Sequence, residues 1–161
     1  MRNEAEVCRA LHKYADTVRR ICTLHLKNRS DVEDVFQEVF LKYALHNNVW
    51  ESDDHERAWL IRVAINNCRD ILKSFYRKRV TLFDEIDDKY LVLPEPACDV
   101  LEAVRHLPPK YRDVIYLHYY EGYKAVEIAS ILHKKENTVY SWLARAREQL
   151  QRELGGEPYE T

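Results

Sequence analysis

Helix breakers are rare in this chain: its 161 residues include three glycines and five prolines. Leu, Ala, Glu, Lys, Arg and Tyr are plentiful, so the composition favours helix throughout and an almost all-α protein is expected. Long apolar runs are missing as well. None approaches the roughly 18 residues that a membrane span needs, and the opening MRNEAEVCRALHKYA lacks the apolar core of a secretory signal. No membrane insertion is expected, and the protein is placed in the cytoplasm. The four cysteines (Cys8, Cys22, Cys68, Cys98) form no C-x-x-C pair, which argues against a disulfide framework and for reduced, mostly buried thiols. Cys8 with His12 and Cys22 with His25 leave two readings open: four zinc ligands, or packing residues on two amphipathic N-terminal helices. The spacings match no structural-zinc signature, which favours packing. The seven histidines (His12, His25, His46, His55, His106, His118, His133) complete neither HExxH nor a Glu-x-x-His repeat across a helical core. No metal, no cofactor and no enzymatic chemistry are therefore expected.

A large net charge is also absent, since 25 basic and 27 acidic side chains leave −2. The balance is uneven along the chain. Residues 81–102 hold seven acids (Asp84, Glu85, Asp87, Asp88, Glu95, Asp99, Glu102) against Lys89 alone, so this stretch carries −6 and the remainder +4. Acids interrupted by Pro94 and Pro96, without helical periodicity, read as a solvated linker. A chain of this length builds one ordinary domain or two small ones. The linker, placed at 81–100, selects two small helical domains over 1–80 and 101–155, with a tail at 156–161. There is no internal repeat.

What is present begins with a helix start at Ser30-Asp31-Val32-Glu33. It has the form of a capping box, in which the serine oxygen and the glutamate each satisfy an otherwise orphan backbone N–H. Val32, Val35, Phe36, Val39, Phe40 and Tyr43 follow at helical spacing as its core face. The opposite face carries Leu41 among Asp34, Gln37 and Glu38. Two readings stand. Leu41 is a lone exposed leucine, common on any surface, or it is an apolar knob ringed by acids and an amide that docks a basic, partly apolar partner.

The segment AWLIRVAINNCRDILKSFYRKR, residues 58–79, reads as one long helix. Leu60, Ile61, Ala64, Cys68, Ile71, Leu72 and Phe75 form its core stripe. Opposite them run Arg62, Asn66, Arg69 and Lys73, extended by Tyr76 and Arg77. Charged rows on exposed helix faces are routine, so this one is by itself either a solvated face or a binding face.

KAVEIASILHKKENTVYSWLARAREQLQREL resolves into two helices joined at His133-Lys134-Lys135. The first is expected to bury Val126, Ala129, Ile131 and Leu132. The second has Val139, Leu143, Ala146, Leu150 and Leu154 on one face, leaving Asn137, Tyr140, Ser141, Ala144, Arg145, Glu148 and Arg152 on the other. That is the patterning of a helix-turn-helix, whose second helix enters the major groove, although a plain helical hairpin shares it. Asn and Arg make bidentate contacts to adenine and guanine, and the small Ala144 lets the helix axis approach the groove.

Three blocks in this order resemble the extracytoplasmic-function (ECF) sigma factors of bacterial RNA polymerase. DVEDVFQEVFLKY is similar to the region-two motif D-A-E-D-L-V-Q-E-x-F-L. AWLIRVAINNCRD is similar to the W-L-x-R-I-A-x-N helix that follows it, and LPPKYRDVIYLHYYEGYKAVEIASIL with TVYSWLARAREQL to region four. The likeness covers nearly the whole chain. It implies an alternative sigma factor that binds core polymerase, recognises the −35 and −10 promoter elements and promotes strand opening. Asp34, Gln37, Glu38 and Leu41 would then meet the clamp helices of the largest polymerase subunit, with the β flap and promoter DNA as further partners and an anti-sigma factor of unknown identity as inhibitor. At the −10 element, Arg62, Arg69, Lys73, Arg77, Lys78 and Arg79 would neutralise phosphates and Asn66 would read a base edge, while Trp50 or Trp59 would stack a flipped base. At the −35 element, the resemblance implies contacts from Lys134, Lys135, Asn137, Thr138, Tyr140, Ser141, Ala144 and Arg145.

The chain departs from the family pattern in two places. Glu56 stands where many relatives have a second aromatic shortly before the AWL, and His133 and Asn137 replace glycines in the turn. A histidine adopts the left-handed conformation only at some cost. A free-standing helix-turn-helix regulator would account for the C-terminal half alone, leaving the 62–73 stripe and Leu41 without purpose.

Overall fold

The computed structural model describes residues 1–47, 49–81 and 99–155, and every regular element in them is helical. The chain divides into two units, residues 1–92 and 93–161. The acidic linker expected at 81–100 falls almost wholly on residues outside those described, as do the tail at 156–161 and Cys98.

The first unit is a bundle of three helices, α1 (Glu4–His25), α2 (Arg29–Leu45) and α3 (Asp53–Thr81), each packed against the other two. Helix α1 starts at a capping box. The Asn3 side chain accepts the Glu6 N–H at 2.9 Å, and the Glu6 carboxylate accepts the Asn3 N–H at 3.2 Å. Ala10, Tyr14, Val18, Ile21 and Cys22 then recur at intervals of one turn as its buried face. One helix therefore stands where two were expected. Cys8 and His12 are exposed near its start, and Cys22 and His25 are buried near its end. The four do not converge, and no group of three or more His, Cys, Asp or Glu side chains able to hold a metal occurs among the described residues. Of the described cysteines, Cys22 and Cys68 are buried free thiols and Cys8 is an exposed one.

Helix α2 begins two residues earlier than the Ser30 box implies. Its N-cap is Asn28, whose side chain accepts the Ser30 N–H at 2.7 Å. Asparagine is at least as good a cap as serine, and Glu33 is otherwise engaged, paired with Arg19 of α1 at 2.5 Å. Val35, Val39, Phe40 and Tyr43 are buried as the periodicity requires, while Val32 and Phe36 are half-buried at the edge.

Helix α3 starts five residues before the expected 58, because the Ser52 hydroxyl accepts the His55 N–H at 3.1 Å and opens the first turn. Leu60, Ile61, Ala64 and Cys68 are buried, with Ile65 added to their face. Each fully buried Leu or Ile here contributes roughly 1.5–3 kcal/mol relative to exposure. Ile71 and Leu72 are half-buried, and the side chain of Phe75 lies outside those described.

The second unit consists of α4 (Asp99–His106), α5 (Pro109–Ile115) continuing into a π-helical turn at Tyr116–Tyr120, α6 (Ala125–Leu132) and α7 (Glu136–Leu154). Helices α4, α5 and α6 all pack on α7, the longest of the four. Pro109 opens α5 at a position where its missing N–H has no partner to lose. In α6 the buried set is Ala125, Ile128, Ala129, Ile131 and Leu132. Val126, expected in the core, is 50% exposed. It lies about 100° around the helix from Ala125, at the edge of the buried arc.

The turn between α6 and α7 is made by His133, at φ 54° and ψ 46°, the one non-glycine residue with positive φ among those described. Its conformation lets the Lys134 N–H reach back to the Ala129 carbonyl at 2.9 Å, closing the end of α6. Asn137 lies within α7 at ordinary negative φ, so replacing glycine there carries no backbone strain.

Candidate functional site

Three surfaces gather the residues singled out by sequence. The first is on α2. Asp34, Gln37, Glu38 and Leu41 are all exposed and together line one shallow, open depression. Leu41 is 54% exposed, and Leu45, one turn further on, is similarly exposed. Leu45 was legible as the i+4 neighbour of Leu41 and lengthens the apolar ridge. Lys42 sits 3.8 Å from Glu38 and donates to the Asn67 side chain of α3 at 2.8 Å, so the acids at the rim are only partly neutralised.

The second surface combines α3 with the connection before it. Asn66 and Lys73 are exposed, and Arg62 and Arg69 are half-buried on the same face. Arg77 continues the row along the α3 backbone, but its side chain, like those of Lys78 and Arg79, lies outside those described. At the N-terminal end of α3, both candidate tryptophans enter one aromatic cluster. Trp50 and Trp59 have ring centroids 5.5 Å apart. Trp50 stacks nearly parallel to His46 (5.7 Å, 10°) and to Tyr43 (6.2 Å, 6°). His55 meets the Trp50 edge at 5.4 Å, and the Arg2 guanidinium lies 4.6 Å from the Tyr43 ring and 5.0 Å from the Trp50 ring. Both tryptophans are half-buried, so each keeps part of its surface open.

Beneath this cluster is a buried polar lock. Glu56 is 1% exposed. Its carboxylate accepts the Arg9 guanidinium at 2.8 and 3.2 Å and the Tyr43 hydroxyl at 3.0 Å. The Tyr14 hydroxyl donates nearby to the Asp53 carbonyl at 3.3 Å. Burial pushes the Tyr14 and Tyr43 phenols up, and the Glu56 carboxylate adds to both shifts. The hydrogen bond to Glu56 raises the Arg9 guanidinium against a smaller opposing effect of desolvation. The sequence marked Glu56 only as a departure from pattern. A sharper signal was available: it continues the row Leu60, Ala64, Cys68 backwards by one turn, a carboxylate on a core face.

The third surface is the outer face of α7 with the turn before it. Asn137, Tyr140, Ser141, Ala144 and Arg145 are exposed, as are Lys134 and Lys135, and Thr138 is half-buried. Val139, Leu143, Ala146 and Leu150 are buried on the opposite side, so the helix is sorted as its periodicity implies. Among the described residues Arg145 forms no ion pair or hydrogen bond, whereas Arg152 pairs with Glu148 at 3.2 Å. Sequence reasoning missed Lys110. It approaches the Trp142 ring from α5 to 5.6 Å, while Lys134 approaches the same ring to 6.0 Å, placing two ammonium groups at the edge of the α7 face.

No helix among the described residues is long and apolar enough to cross a membrane. Family comparisons divide the chain as its units do. The family described as Sigma-70 region 2 matches residues 10–79, spanning most of the three-helix bundle, and the one described as Sigma-70, region 4 matches residues 99–150. The chain is 29% identical over 159 residues to the ECF RNA polymerase sigma factor SigW of Bacillus subtilis (strain 168), covering 88% of this chain and 84% of that protein. It is 31% identical over 134 residues to the RNA polymerase sigma factor NccH of Alcaligenes xylosoxydans xylosoxydans, covering 75% of this chain and 72% of that one. The fold is shared with the sigma factor RpoE of Bartonella quintana, solved in complex with the anti-sigma factor NepR: the TM-score is 0.76 at 20% identity, over 94% of this chain and 98% of that one. With both sigma-70 regions in order and relatives matching across most of its length, the chain belongs to the ECF group of RNA polymerase sigma factors, alternative factors that act in transcription initiation.

Proposed function

We propose that the chain brings core polymerase to promoters by dividing three contacts between its units. The region-two domain, 1–80, docks on the clamp helices of the largest subunit through Asp34, Gln37, Glu38 and Leu41. The same domain holds the opened −10 element on the face carrying Arg62, Asn66, Arg69, Lys73 and Arg77, with a base stacked in the Trp50 and Trp59 cluster. The region-four domain, 101–155, reads the −35 duplex through Asn137, Thr138, Tyr140, Ser141, Ala144 and Arg145, with phosphate contacts from Lys134 and Lys135. The residues between, 81–100, act as the tether. Two contacts on one chain make the second effectively intramolecular, so each is weak alone and the pair is tight.

Opening the −10 region costs a few kcal/mol per unstacked step. Stacking returns about 1–3 kcal/mol per captured base, and phosphate neutralisation adds to it. The chain makes and breaks no bond, and the polymerase performs the chemistry. It acts in the cytoplasm with the polymerase, needs no cofactor, and is held in check by an anti-sigma factor, as the RpoE relative is bound by NepR.

One observation carries the proposal: the unpaired Arg145 stands in the middle of an exposed α7 face that the core has sorted away from Val139, Leu143 and Ala146. The test is transcription in vitro with sigma-free core polymerase on a library of promoters randomised at both elements. Selected start sites with recoverable −35 and −10 sequences are expected. Failure to direct initiation on any template would overturn the reading.

A further inference from the structure

Among the described residues of the first unit, Glu56 is the one buried carboxylate. Placing an ionised carboxylate on a core row is unfavourable unless it is hydrogen-bonded and paired, and a well-packed apolar side chain at the same position is often as stable. The Arg9 guanidinium answers the charge, at 2.8 Å. Charge neutralisation does not explain the second partner, the Tyr43 hydroxyl at 3.0 Å.

Tyr43 is completely buried, so no ligand reaches it. Its ring lies parallel to Trp50 at 6.2 Å and inclined to Trp59 at 6.3 Å, placing it between the carboxylate and both candidate base-stacking surfaces. The connection that carries Trp50 is tied on either side of that residue, where the Asn47 side chain accepts the Met1 ammonium at 2.7 Å and the Glu51 N–H donates to the His55 ring at 3.3 Å, but neither bond reaches the indole. Val49 is 89% exposed, and the Trp50 side chain is held by ring contacts with Tyr43, His46, His55 and Trp59 and by Arg2. Ring contacts tolerate sliding, whereas a hydrogen bond to a fixed oxygen sets direction.

We propose that Glu56 is a positioning residue for strand capture: one carboxylate oxygen holds the Tyr43 hydroxyl, fixes the plane of that ring, and through it fixes the pose of Trp50 against which an unstacked base of single-stranded DNA lies. This rests on the base-capture reading of the tryptophan cluster given above. Arg9 and Tyr43, two of the groups around Glu56, then have separable roles. Arg9 makes the buried charge tolerable, and Tyr43 transmits position.

The test uses the full chain assembled with core polymerase and two probes recovered from the promoter library, the single-stranded −10 oligonucleotide and the −35 duplex. Four variants separate the roles. Tyr43→Phe and Glu56→Leu remove the directed bond, and each is expected to weaken binding of the single strand about ten-fold, the scale of one displaced stacking contact, and to alter the near-ultraviolet circular dichroism of the cluster. Arg9→Met leaves the bond in place, and Glu56→Gln retains an oxygen that accepts it. Both are expected to lower the melting temperature while holding strand affinity within about three-fold, less than one lost stacking contact. Duplex binding stays constant in all four. If strand affinity instead tracks melting temperature across the series, or is unchanged in Tyr43→Phe, the positioning role is wrong. Should Glu56→Leu fail to fold, Tyr43→Phe alone decides. If the unmodified protein does not bind the single strand in a way that depends on Trp50 or Trp59, base capture itself fails, an outcome distinct from normal capture that ignores Glu56.

Discussion

In the first unit, the candidate strand-binding cluster is assembled from residues far apart in the chain: Arg2 ahead of α1, Tyr43 and His46 at the end of α2, Trp50 in the connection, and His55 and Trp59 on α3. In the second unit, the candidate duplex-binding face comes from one helix and the turn before it. The difference has an energetic consequence. A face on a single helix survives as long as that helix is packed, whereas an assembled cluster depends on every contact that holds its contributors in register. The first unit accordingly carries a cross-helix lock, Arg9 to Glu56 to Tyr43, joining α1, α3 and α2. Most of the candidate face of α7 is free of such ties, with Arg145 standing unpaired.

Substitutions test that contrast, beginning with the largest expected effect. Leu41→Asp puts a charge at the centre of the α2 ridge. It is expected to cost core-polymerase binding more than about 2 kcal/mol, the scale of an interface hot spot, with no loss of fold because Leu41 is exposed. Co-purification with core polymerase measures it, and normal assembly would reject the α2 ridge as the docking surface.

Arg145→Ala is expected to weaken the −35 duplex by about 1–3 kcal/mol and relax one base preference. An unchanged preference profile across a randomised −35 library would remove Arg145 from base readout and, with it, the single-helix character of that site. Arg9→Met leaves the Glu56 carboxylate buried beside the Tyr43 and Tyr14 hydroxyls but without the Arg9 cation, so unfolding free energy is expected to fall by about 1–2 kcal/mol. That is below the 3–5 of a wholly buried pair because Arg9 is half exposed. Denaturation followed by tryptophan fluorescence reports it, and no change would mean that the lock adds nothing to stability.

His133→Gly relieves the left-handed turn and is expected to raise the stability of the second unit by up to about 1 kcal/mol. Thermal unfolding that is lower in the variant would show that the imidazole makes contacts outweighing the strain. The smallest effect is a pH dependence in the first unit. Lys13, bonded to Asp53 at 2.7 Å, holds that carboxyl below its ordinary value. Its stabilisation is present above the unfolded-state value and is lost as pH falls through the depressed folded one. Asp53→Asn should therefore differ from the unmodified protein at neutral pH and converge with it in acid, when both are followed by chemical denaturation.

The comparison also explains which features were legible before the structure. The faces of α7 follow from spacing alone, since Val139, Leu143, Ala146 and Leu150 fall on one side of any regular helix. The same holds for Leu41 and for the stripe through Arg62, Asn66 and Arg69. Helix boundaries were less legible where several caps competed, as Asn28 and Ser30 do at the start of α2. Val126 was misplaced because a short helix offers too few residues to fix the centre of its buried arc. The lock around Glu56 could not be derived from local pattern, because Arg9 and Tyr43 stand 47 and 13 residues away.

What the sequence determined by itself is everything that depends on neighbours three or four residues apart: the helical class, the sorted faces of α2, α3 and α7, and the motifs of two sigma-70 regions. Tertiary structure decided the partners that meet only when helices pack. It placed Trp50 and Trp59 in one cluster, gave the Glu56 charge a cation and a hydroxyl, and drew Lys110 beside Lys134 over Trp142. The physical reason is range. Backbone hydrogen bonding and helical periodicity act within a turn, while burial of a charge or a ring is settled by whichever distant side chain the packed core brings alongside it.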